Sequence, residues 1–458
     1  MEKLIRKLRA LMPGNGKGKA VMPIYTRKVI PRDQHTVSRS LISANAKKVL
    51  ARLNDAGYEA YLVGGGVRDI LLDGRPKDFD IATSATPEEV HQLFRNSRLI
   101  GRRFRIVHVL FGREVIEVTT FRGNAQEEQD DDTPDRRTNE HGLLLRDNVY
   151  GSLEEDALRR DFTINALYYC IRDFSIIDFA DGVEDLKRRQ VRLIGDPETR
   201  YREDPVRMLR AVRFAAKLGF DIAPDTEDPI RTLAPLLDHI PPARLFEEVL
   251  KLFSAGHGLA TWHKIREYNL LAPLFPATAQ ALADGESDEV IRQALANTDK
   301  RIQQGKSVTP YFMYAALLWP ALQAEWKRRQ DNGETPQQAL QLAMSKVVGR
   351  QVQSTAIPKR FSAPMKEIWE LQLRLPRRQG KRALATLEHP RFRAAYDFLL
   401  LRESAGESEE GLGAWWTRFQ TLDERGREQM LSELTSATPK NRRRRRKPAG
   451  RGGKPQVH

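Results

Sequence analysis

Apolar residues follow two different spacings along the chain. Between residues 37 and 195, short apolar segments at 59–63, 105–111 and 114–121 predict β-strands, with helical segments between them. From residue 196 to about 437, apolar residues recur every three or four positions, and prolines separate the predicted helices. The pattern therefore predicts an α/β head over residues 37–195, followed by an all-α remainder.

Local signals refine the head. A helix is predicted over about residues 43–55, because Gly57 is placed to end it. Residues 78–81 are predicted to form a strand. Thr86 is a predicted helix N-cap, and Glu89 three residues later completes a capping box.

Three segments lack periodicity. Residues 13–36 contain Gly and Pro and are predicted to be a linker within a basic extension that spans residues 1–36. Residues 123–150 are polar and acidic, and a loop of this length inside a domain is typically functional or mobile. Residues 438–458 are of low complexity, which predicts a disordered tail.

Positive charge is concentrated at the two ends of the chain. Of the formal net charge of +15, residues 1–32 carry +8 and residues 440–458 carry +9, so the remainder is slightly acidic. Residues 2–12 could form a short basic amphipathic helix. Basic arms of this kind usually contact a polyanion such as a nucleic acid, and the alternative is a solvated, solubilising segment.

The remaining composition excludes several classes of protein. The single cysteine, Cys170, excludes an intrachain disulfide, and the scattered histidines show no zinc-binding spacing. No apolar stretch is long enough to span a membrane, and the N-terminus lacks an apolar signal core. These features predict a cytoplasmic protein without a transmembrane segment.

The first candidate site is a run of three glycines, Gly64, Gly65 and Gly66, between a predicted strand and a predicted helix. Such a turn directs backbone N–H groups and a helix N-terminus toward a phosphate. Taken alone, a glycine-rich turn is more often only a turn.

The second candidate site consists of two carboxylates. Asp78 and Asp80 flank Phe79, so the two-residue period of a strand places both acids on one face and Phe79 in the core. Two oxygen ligands on one strand suit Mg²⁺, which is commonly bound by carboxylates together with substrate phosphates. Glu117 points away from its apolar neighbours, and a neighbouring strand could place it beside this pair. The alternative is a solvated strand face.

Arg159, Arg160 and Asp161 form a third candidate. The arginines could bind a triphosphate. Asp161 could contact a ribose hydroxyl or the metal-binding acids, and its alternative role is to cap a helix.

The fourth candidate is the segment RYREDPVRMLR, which we predict to be one helix. Glu203, Asp204, Arg207 and Arg210 are spaced three and four residues apart, so they share neighbouring helix faces. An aspartate that accepts from an exocyclic amine, beside an arginine that donates to a ring nitrogen, would accept adenine and cytosine and reject guanine and uracil. The alternative is a ladder of salt bridges within the helix.

The motifs GGGVRDILL, DFD, EVTTFR, RRDFTINA, EDPVRMLRAVRF and PPARLFEE, taken in this order, resemble the class II tRNA nucleotidyltransferase/poly(A) polymerase family over residues 37–260. The resemblance implies a polymerase-β-like head followed by helical neck, body and tail domains. It also implies metal binding by Asp78 and Asp80, an active-site role for Asp161, and nucleotide selection by Glu203, Asp204 and Arg207. By the same resemblance and the phosphate chemistry above, Gly64–Gly66, Arg68, Arg160 and Arg210 are expected to bind the nucleotide.

The family contains poly(A) polymerases and CCA-adding enzymes, and the selection motif suits both. The segments GRRFRIVHV and 377–400, with the arginine-rich C-terminus, favour a poly(A) polymerase. A CCA-adding enzyme is the alternative, and a non-catalytic RNA-binding protein is a second one that the intact acids argue against. We expect AMP transfer from ATP to single-stranded RNA 3′ ends, with two Mg²⁺ ions and with RNA-decay proteins as partners.

We therefore predict five segments: a basic extension (1–36), the head (37–195), a neck with the nucleotide-reading helix (196–262), an RNA-binding helical body (263–437) and the basic tail (438–458).

Overall fold

The computed structural model describes residues 25–101, 105–123 and 149–436. The predicted helix at 2–12, most of the acidic loop at 123–150 and the basic tail at 438–458 lie outside these residues. The chain divides into two compact units. The first comprises Met1–Gln280, Leu295–Val308 and Gly349–Ile357, and the second comprises Ala281–Ala294, Thr309–Val348 and Pro358–His458.

An eight-stranded sheet forms the centre of the head, in the strand order β1-β8-β7-β2-β3-β6-β5-β4. Its strands are β1 (Lys28–Ile30), β2 (Ala60–Val63), β3 (Asp80–Thr83), β4 (Ser97–Ile100), β5 (Ile106–Phe111), β6 (Glu114–Thr120), β7 (Leu167–Cys170) and β8 (Ile176–Asp178). Strands β3 and β6 pair in parallel, whereas the other neighbouring strands of this sheet pair antiparallel. A short parallel pair, β9 (Gln190–Val191) and β10 (Asp221–Ile222), lies outside it.

The head helices pack against this sheet through apolar faces. They are α1 (Ala44–Asp55), α2 (Gly65–Leu71), α3 (Pro87–Leu93), α4 (Leu153–Leu158) and α5 (Gly182–Arg188). In α1, Val49, Leu50 and Leu53 are buried, and the Ser43 side chain caps the helix. The predicted capping box of Thr86 and Glu89 is present at the start of α3. Local sequence signals therefore determine where α1 and α3 begin.

The prediction that residues 13–36 are a linker is wrong for the part that the structure describes. Strand β1 pairs with β8 at one edge of the sheet. The Tyr25 hydroxyl accepts a hydrogen bond from the Gly195 backbone N–H at 2.7 Å. A three-residue edge strand is too short to show the two-residue periodicity on which the prediction relied.

The acidic loop begins and ends at adjacent points of the head. Arg122 and Tyr150 form an isolated antiparallel bridge, and the Gly123 N–H donates to the Val149 carbonyl at 2.8 Å. The described residues on the two sides of the segment 124–148 are thus neighbours in the head.

From residue 196 the described chain is largely helical, as the apolar spacing predicted. Its helices are α6 (Pro197–Glu203), α7 (Val206–Leu218), α8 (Pro224–Glu227), α9 (Ile230–Leu233), α10 (Pro242–Phe253), α11 (Gly258–Glu267), α12 (Leu271–Leu274), α13 (Pro276–Ala283), α14 (Glu289–Gln303), α15 (Pro310–Leu317), α16 (Trp319–Asp331), α17 (Pro336–Ser354), α18 (Lys359–Arg374), α19 (Lys381–Leu387), α20 (Phe392–Ser404), α21 (Leu412–Thr421) and α22 (Glu424–Ser436). Within the described residues, no helix is both long and apolar enough to cross a membrane.

The single reading helix predicted around residues 200–210 is instead two helices. Helix α6 ends at Glu203, Asp204 is extended with φ −147° and ψ 93°, and α7 starts at Val206. Pro205 explains the break, because a proline disfavours the helical conformation of the residue before it. The prediction that four charged residues share one helix is therefore wrong.

Candidate active site

The glycine run forms the turn from β2 into α2, as predicted. Gly64 has φ 71° and ψ −131°, a conformation that favours glycine because a side chain would be strained there. A Cβ atom on Gly64 would lie 3.8 Å from Nη1 of Arg160. A Cβ atom on Gly66 would lie 3.7 Å from the Asp78 carbonyl. The turn therefore brings Arg160 and the predicted metal-binding segment to one place.

The carboxylates of Asp80 and Glu117 lie on neighbouring strands. Asp80 is the first residue of β3 and is in register with Glu117 on the parallel strand β6. Phe79 is buried as predicted, whereas Asp78 is exposed and precedes the strand. Burial and the nearby charge of Glu117 raise the pKa of the Asp80 carboxyl to about 6, and Asp78 adds to the shift. This end of the sheet therefore carries negative charge that protein cations do not fully neutralise.

The donor set is suited to a magnesium ion that also binds substrate. Glu117 lies 3.6 Å from Nε2 of His108 on β5. Across the described residues, no three or more His, Cys, Asp or Glu side chains are grouped closely enough to form a complete metal cage. Mg²⁺ commonly uses one or two carboxylates and takes its remaining ligands from water and phosphate oxygens. The uncompensated charge at Asp80 fits this kind of site.

Arg160 is held by two side chains that the sequence interpretation missed. Its Nε donates to the Tyr168 hydroxyl at 2.7 Å, and its Nη2 donates to Asp156 Oδ2 at 3.0 Å. The Tyr168 hydroxyl also donates to Asp156 Oδ2, at 2.7 Å. Burial would raise the pKa of the Asp156 carboxyl, but Arg160 and Tyr168 together lower it below its ordinary value. The four-residue spacing from Asp156 to Arg160 was the available signal.

The structure places Asp161 in an ion pair with the neck. Its Oδ2 accepts from Nε of Arg210 at 2.6 Å, and its Oδ1 accepts from the Phe162 N–H at 2.8 Å. Burial would raise the pKa of this carboxyl, but the charge of Arg210 holds it below the usual range. Arg210 thus joins α7 to the segment after Arg160. The charges that act on Asp80 come from Glu117, Arg160 and Asp78, so the structure gives Asp161 a partner other than the metal-binding pair.

Arg68 lies in the interior and contacts protein groups. Its side chain is 3% exposed, its Nε donates to Asp69 at 2.8 Å, and its Nη1 donates to Asn165 at 2.6 Å. Its guanidinium also lies over the Phe214 ring of α7, 5.3 Å from the centroid. These contacts position α2 against the neck, which differs from the phosphate contact expected from the sequence.

The selection motif contains a salt-bridge ladder together with a separately held aspartate. Glu203 Oε2 accepts from Arg207 at 2.9 Å, which is one pair of the salt-bridge alternative, and from Arg200 at 3.1 Å. Asp204 is outside this ladder, because its Oδ2 accepts from Nη2 of Arg244 on α10 at 2.7 Å. Arg244 lies in the segment PPARLFEE, and its contact with Asp204 was not predicted. The structure therefore adds a partner that fixes the orientation of the Asp204 carboxylate.

Arg200 is a second residue that the sequence interpretation did not single out. Its Nη2 donates to the backbone carbonyls of Arg159 and Arg160, at 2.6 and 2.7 Å. Burial and the nearby charge of Arg207 lower the pKa of the Arg200 guanidinium to about 10. The Glu203 carboxylate, which accepts from both guanidinium groups, is the anion that compensates this pair of cations.

Three family models match successive parts of the chain. They are the poly A polymerase head domain over residues 60–192, the probable RNA- and SrmB-binding site of polymerase A over 219–282, and the polymerase A arginine-rich C-terminus over 332–449. The first contains the glycine turn, Asp80, Glu117 and Arg160.

Curated relatives with two different names match different extents of the chain. Poly(A) polymerase I of Escherichia coli O6:H1 is 54% identical over 92% of each chain, and that of Haemophilus influenzae is 44% identical over 93% of this chain and 95% of its own. The CCA-adding enzyme of Lactobacillus helveticus is 45% identical over only 46% of this chain and 50% of its own. Similarity over nearly the whole chain is thus found with the two poly(A) polymerases I, and not with this CCA-adding enzyme.

The fold is also similar to that of a solved structure. The crystal structure of the Bacillus stearothermophilus CCA-adding enzyme in complex with CTP matches with a TM-score of 0.55 and 27% identity, covering 85% of this chain and 82% of that one. This supports the polymerase-β-like head and the helical domains that follow it. With full-length similarity to the two poly(A) polymerases and three matching domain models, the chain belongs to the poly(A) polymerase family of nucleotidyltransferases.

Proposed function

We propose that this enzyme adds AMP from ATP to RNA 3′ ends without a template and releases pyrophosphate. The observation that carries the proposal is the 54% identity to poly(A) polymerase I over 92% of both chains. The two CCA-adding relatives of similar identity match only 46% and 45% of the chain, so their names account for less of it. Intact carboxylates at Asp78, Asp80 and Glu117 argue against a non-catalytic RNA-binding protein.

In the proposed reaction, the RNA 3′-hydroxyl attacks the α-phosphorus of ATP. The bond between the α-phosphorus and the oxygen that joins it to the β-phosphate breaks, and pyrophosphate leaves. Asp78 and Asp80, with Glu117 beside them, would hold two Mg²⁺ ions. When bound, these ions would lower the pKa of the hydroxyl and neutralise charge on the triphosphate. The turn at Gly64–Gly66 and the held guanidinium of Arg160 would bind phosphate oxygens.

The selection of adenine would rest on Asp204 and Arg207. Asp204 would accept a hydrogen bond from the exocyclic amine, and Arg207 would donate to the neighbouring ring nitrogen. Arg244 and Glu203 hold these two groups in place before a nucleotide arrives. The salt-bridge ladder and the reading role are therefore compatible, because the ladder fixes the donor that does the reading.

The cellular setting follows from the same proposal. Single-stranded RNA ends are the expected substrates, RNA-decay proteins the expected partners and the cytoplasm the expected location. The family model named for RNA and SrmB binding over residues 219–282 supports contact with RNA.

One experiment separates the proposed activity from its alternatives. The protein is incubated with Mg²⁺ and either an oligo(A) or a tRNA that lacks its terminal CCA. Each nucleoside triphosphate is supplied alone, and CTP and ATP are also supplied together. We expect long ladders with ATP on oligo(A) and little addition with GTP or UTP. Addition of one C-C-A to the tRNA alone would identify a CCA-adding enzyme. Absence of pyrophosphate release with every RNA would favour the non-catalytic alternative.

The reading role of Asp204 makes a second prediction. Asp204→Ala should reduce the preference for ATP over GTP by about 1–3 kcal/mol, the range observed for a bidentate base contact. Arg244→Met should reduce it less, because Asp204 keeps its hydrogen bond from the Val206 N–H. Single-nucleotide addition kinetics with ATP and GTP measure the effect, and Arg202→Met on the same segment is the control. Unchanged preference in the Asp204 variant would leave Asp204 with a structural role only.

A further inference from the structure

A short segment of the second compact unit combines high positive charge with a rigid backbone. Between α18 and α19 the chain reads RLPRRQGKR over residues 374–382, which is five cations and no acid in nine residues. We call these residues the basic loop. Like charges this close repel one another, so the loop carries an electrostatic cost in the isolated protein.

Four of the five cations of the basic loop lack a protein partner. Arg374, Arg377, Lys381 and Arg382 are exposed, and within the described residues none of their side chains forms a hydrogen bond or ion pair. Elsewhere in the same unit, surface arginines are commonly paired, as Arg391 is with Glu367 at 3.1 Å. The basic loop therefore presents cations that intramolecular contacts leave available.

The backbone of the basic loop is fixed from inside the unit. Leu375 is fully buried, and its carbonyl accepts a hydrogen bond from Nε1 of the buried Trp416 at 3.0 Å. Arg378 lies over the Trp415 ring, 5.6 Å from its centroid, and pairs with Glu409 at 3.4 Å. The cations are thus presented from a preorganised backbone, which lowers the entropy lost when a ligand binds.

Arg374 and Arg377 also line a small cavity with hydrogen-bonding neighbours. Its volume is about 130 Å³, and Gln337 and Gln341 of α17 line it with them, as does Glu370. Amide side chains beside guanidinium groups supply both donors and acceptors. This combination suits a phosphodiester with its flanking ribose, because Glu370 and the amides can accept from hydroxyl groups.

We propose that the basic loop is an RNA-binding surface that contacts the phosphate backbone. The proposal rests on the proposed function, because the substrate of that function is the polyanion that would compensate the loop. An acidic protein partner is the competing occupant. RNA is favoured because these four exposed cations lie on one short loop, where they can contact several phosphates of one backbone, whereas the cores of protein interfaces are depleted in charged residues.

The test removes three charges at the loop and compares them with three removed elsewhere. One variant carries Arg374→Gln, Arg377→Gln and Arg382→Gln. The control carries Lys327→Gln, Lys359→Gln and Arg425→Gln, which are exposed cations of the same unit outside the loop. Both are full-length chains with equal net charge. Fluorescence anisotropy measures the affinity for a labelled oligo(A) between 50 and 200 mM KCl, about the range in which phosphate contacts show their salt dependence.

We expect the loop variant to flatten the log–log salt slope by about 2, because each single-strand phosphate contact contributes about 0.7. Between 50 and 200 mM KCl, the fold-decrease in RNA affinity of the loop variant would then be roughly 16 times smaller than that of the wild type. The control should keep the wild-type slope, and both variants should keep the wild-type KM for ATP and kcat at saturating RNA.

Equal slopes for the loop variant and the control would overturn the proposal, whether both match the wild type or both are flattened. An unchanged RNA slope with loss of binding to an acidic protein would assign the loop to that partner instead. The measurement is of binding, so it remains decisive if the chain fails to extend RNA, a result that would remove only the proposed function. Matching thermal unfolding curves establish that both variants fold.

Discussion

Asp80→Asn should abolish nucleotide addition and at the same time stabilise the protein measured without metal. The loss of activity follows from the proposed role of the carboxylate in binding Mg²⁺, which is worth several kcal/mol of transition-state stabilisation. The gain in stability follows from the raised pKa of Asp80, because burial and Glu117 make its ionised form unfavourable in the folded protein.

The effect of Asp80→Asn on the free energy of unfolding should depend on pH. The pKa of Asp80 rises from an ordinary value of 3.8 to about 6 on folding, so ionisation costs nothing below pH 3.8 and its full cost above pH 6. Asparagine resembles the protonated acid and avoids this cost. We therefore expect Asp80→Asn to raise the free energy of unfolding by about 1–3 kcal/mol at pH 7.5, and hardly at all near pH 4.

Two measurements check the prediction: primer extension with ATP and Mg²⁺, and denaturant unfolding in EDTA at both pH values. Asp78→Asn is the matched variant. This substitution should remove activity, because Asp78 is also proposed to bind Mg²⁺. It should change the stability little, because Asp78 is exposed. If Asp80→Asn kept a tenth of the wild-type rate, the metal-binding assignment would fail. Equal stability changes at the two pH values would contradict the electrostatic cause.

Asp156→Asn should lower kcat/KM for ATP by roughly 10–100-fold, the equivalent of losing a charge-assisted hydrogen bond. Asp156 lies behind Arg160 and contacts it at 3.0 Å, so an amide there leaves a buried guanidinium with a weaker acceptor. The free guanidinium nitrogen next to Gly64 would no longer be fixed. We expect the larger part of the effect in KM for ATP, because Arg160 is proposed to bind the triphosphate.

A milder pair of variants separates positioning from loss of fold. Tyr168→Phe removes the hydroxyl that bonds both Arg160 and Asp156, but keeps the ring in the core. Tyr169→Phe removes a hydroxyl from the next residue, for which no hydrogen bond is formed within the described residues. Steady-state kinetics with ATP should show a raised KM only for Tyr168→Phe. Equal kinetics for the two variants would contradict a positioning role for the network.

The sequence predicted the acidic pair better than it predicted the surroundings of that pair. The predicted burial of Phe79 is correct, but the strand begins at Asp80 and not at residue 78, so Asp78 lies before it and Asp80 is partly buried. That Glu117 joins Asp80 depends on parallel pairing of β3 with β6, and local periodicity carries no information on which strands become neighbours. The glycine turn and the Thr86 cap were predictable because each depends only on residues that are close together in the sequence.

Contacts between distant segments account for what was missed. Asp161 was assigned to the active site from its motif, and its ion pair with Arg210, 49 residues away, could not be predicted from that motif. Arg244 reaches Asp204 across 40 residues, and neither spacing follows a helix or a strand. The break at Pro205 was accessible from the sequence, because a proline constrains the residue before it, but the spacing of charges was given more weight.

The break between α6 and α7 has a consequence for how nucleotide preference could change over time. Pro205 keeps Asp204 out of a helix, and that extended conformation lets its carboxylate reach Arg244. A residue that allowed α6 to run on into α7 would turn the side chain of Asp204 by about 100°, the rotation per residue of an α-helix. The proposed reading group would then face elsewhere, although every residue that touches the nucleotide was unchanged. On the proposed reading role, a change of main-chain conformation alone would therefore alter the nucleotide preference of this protein.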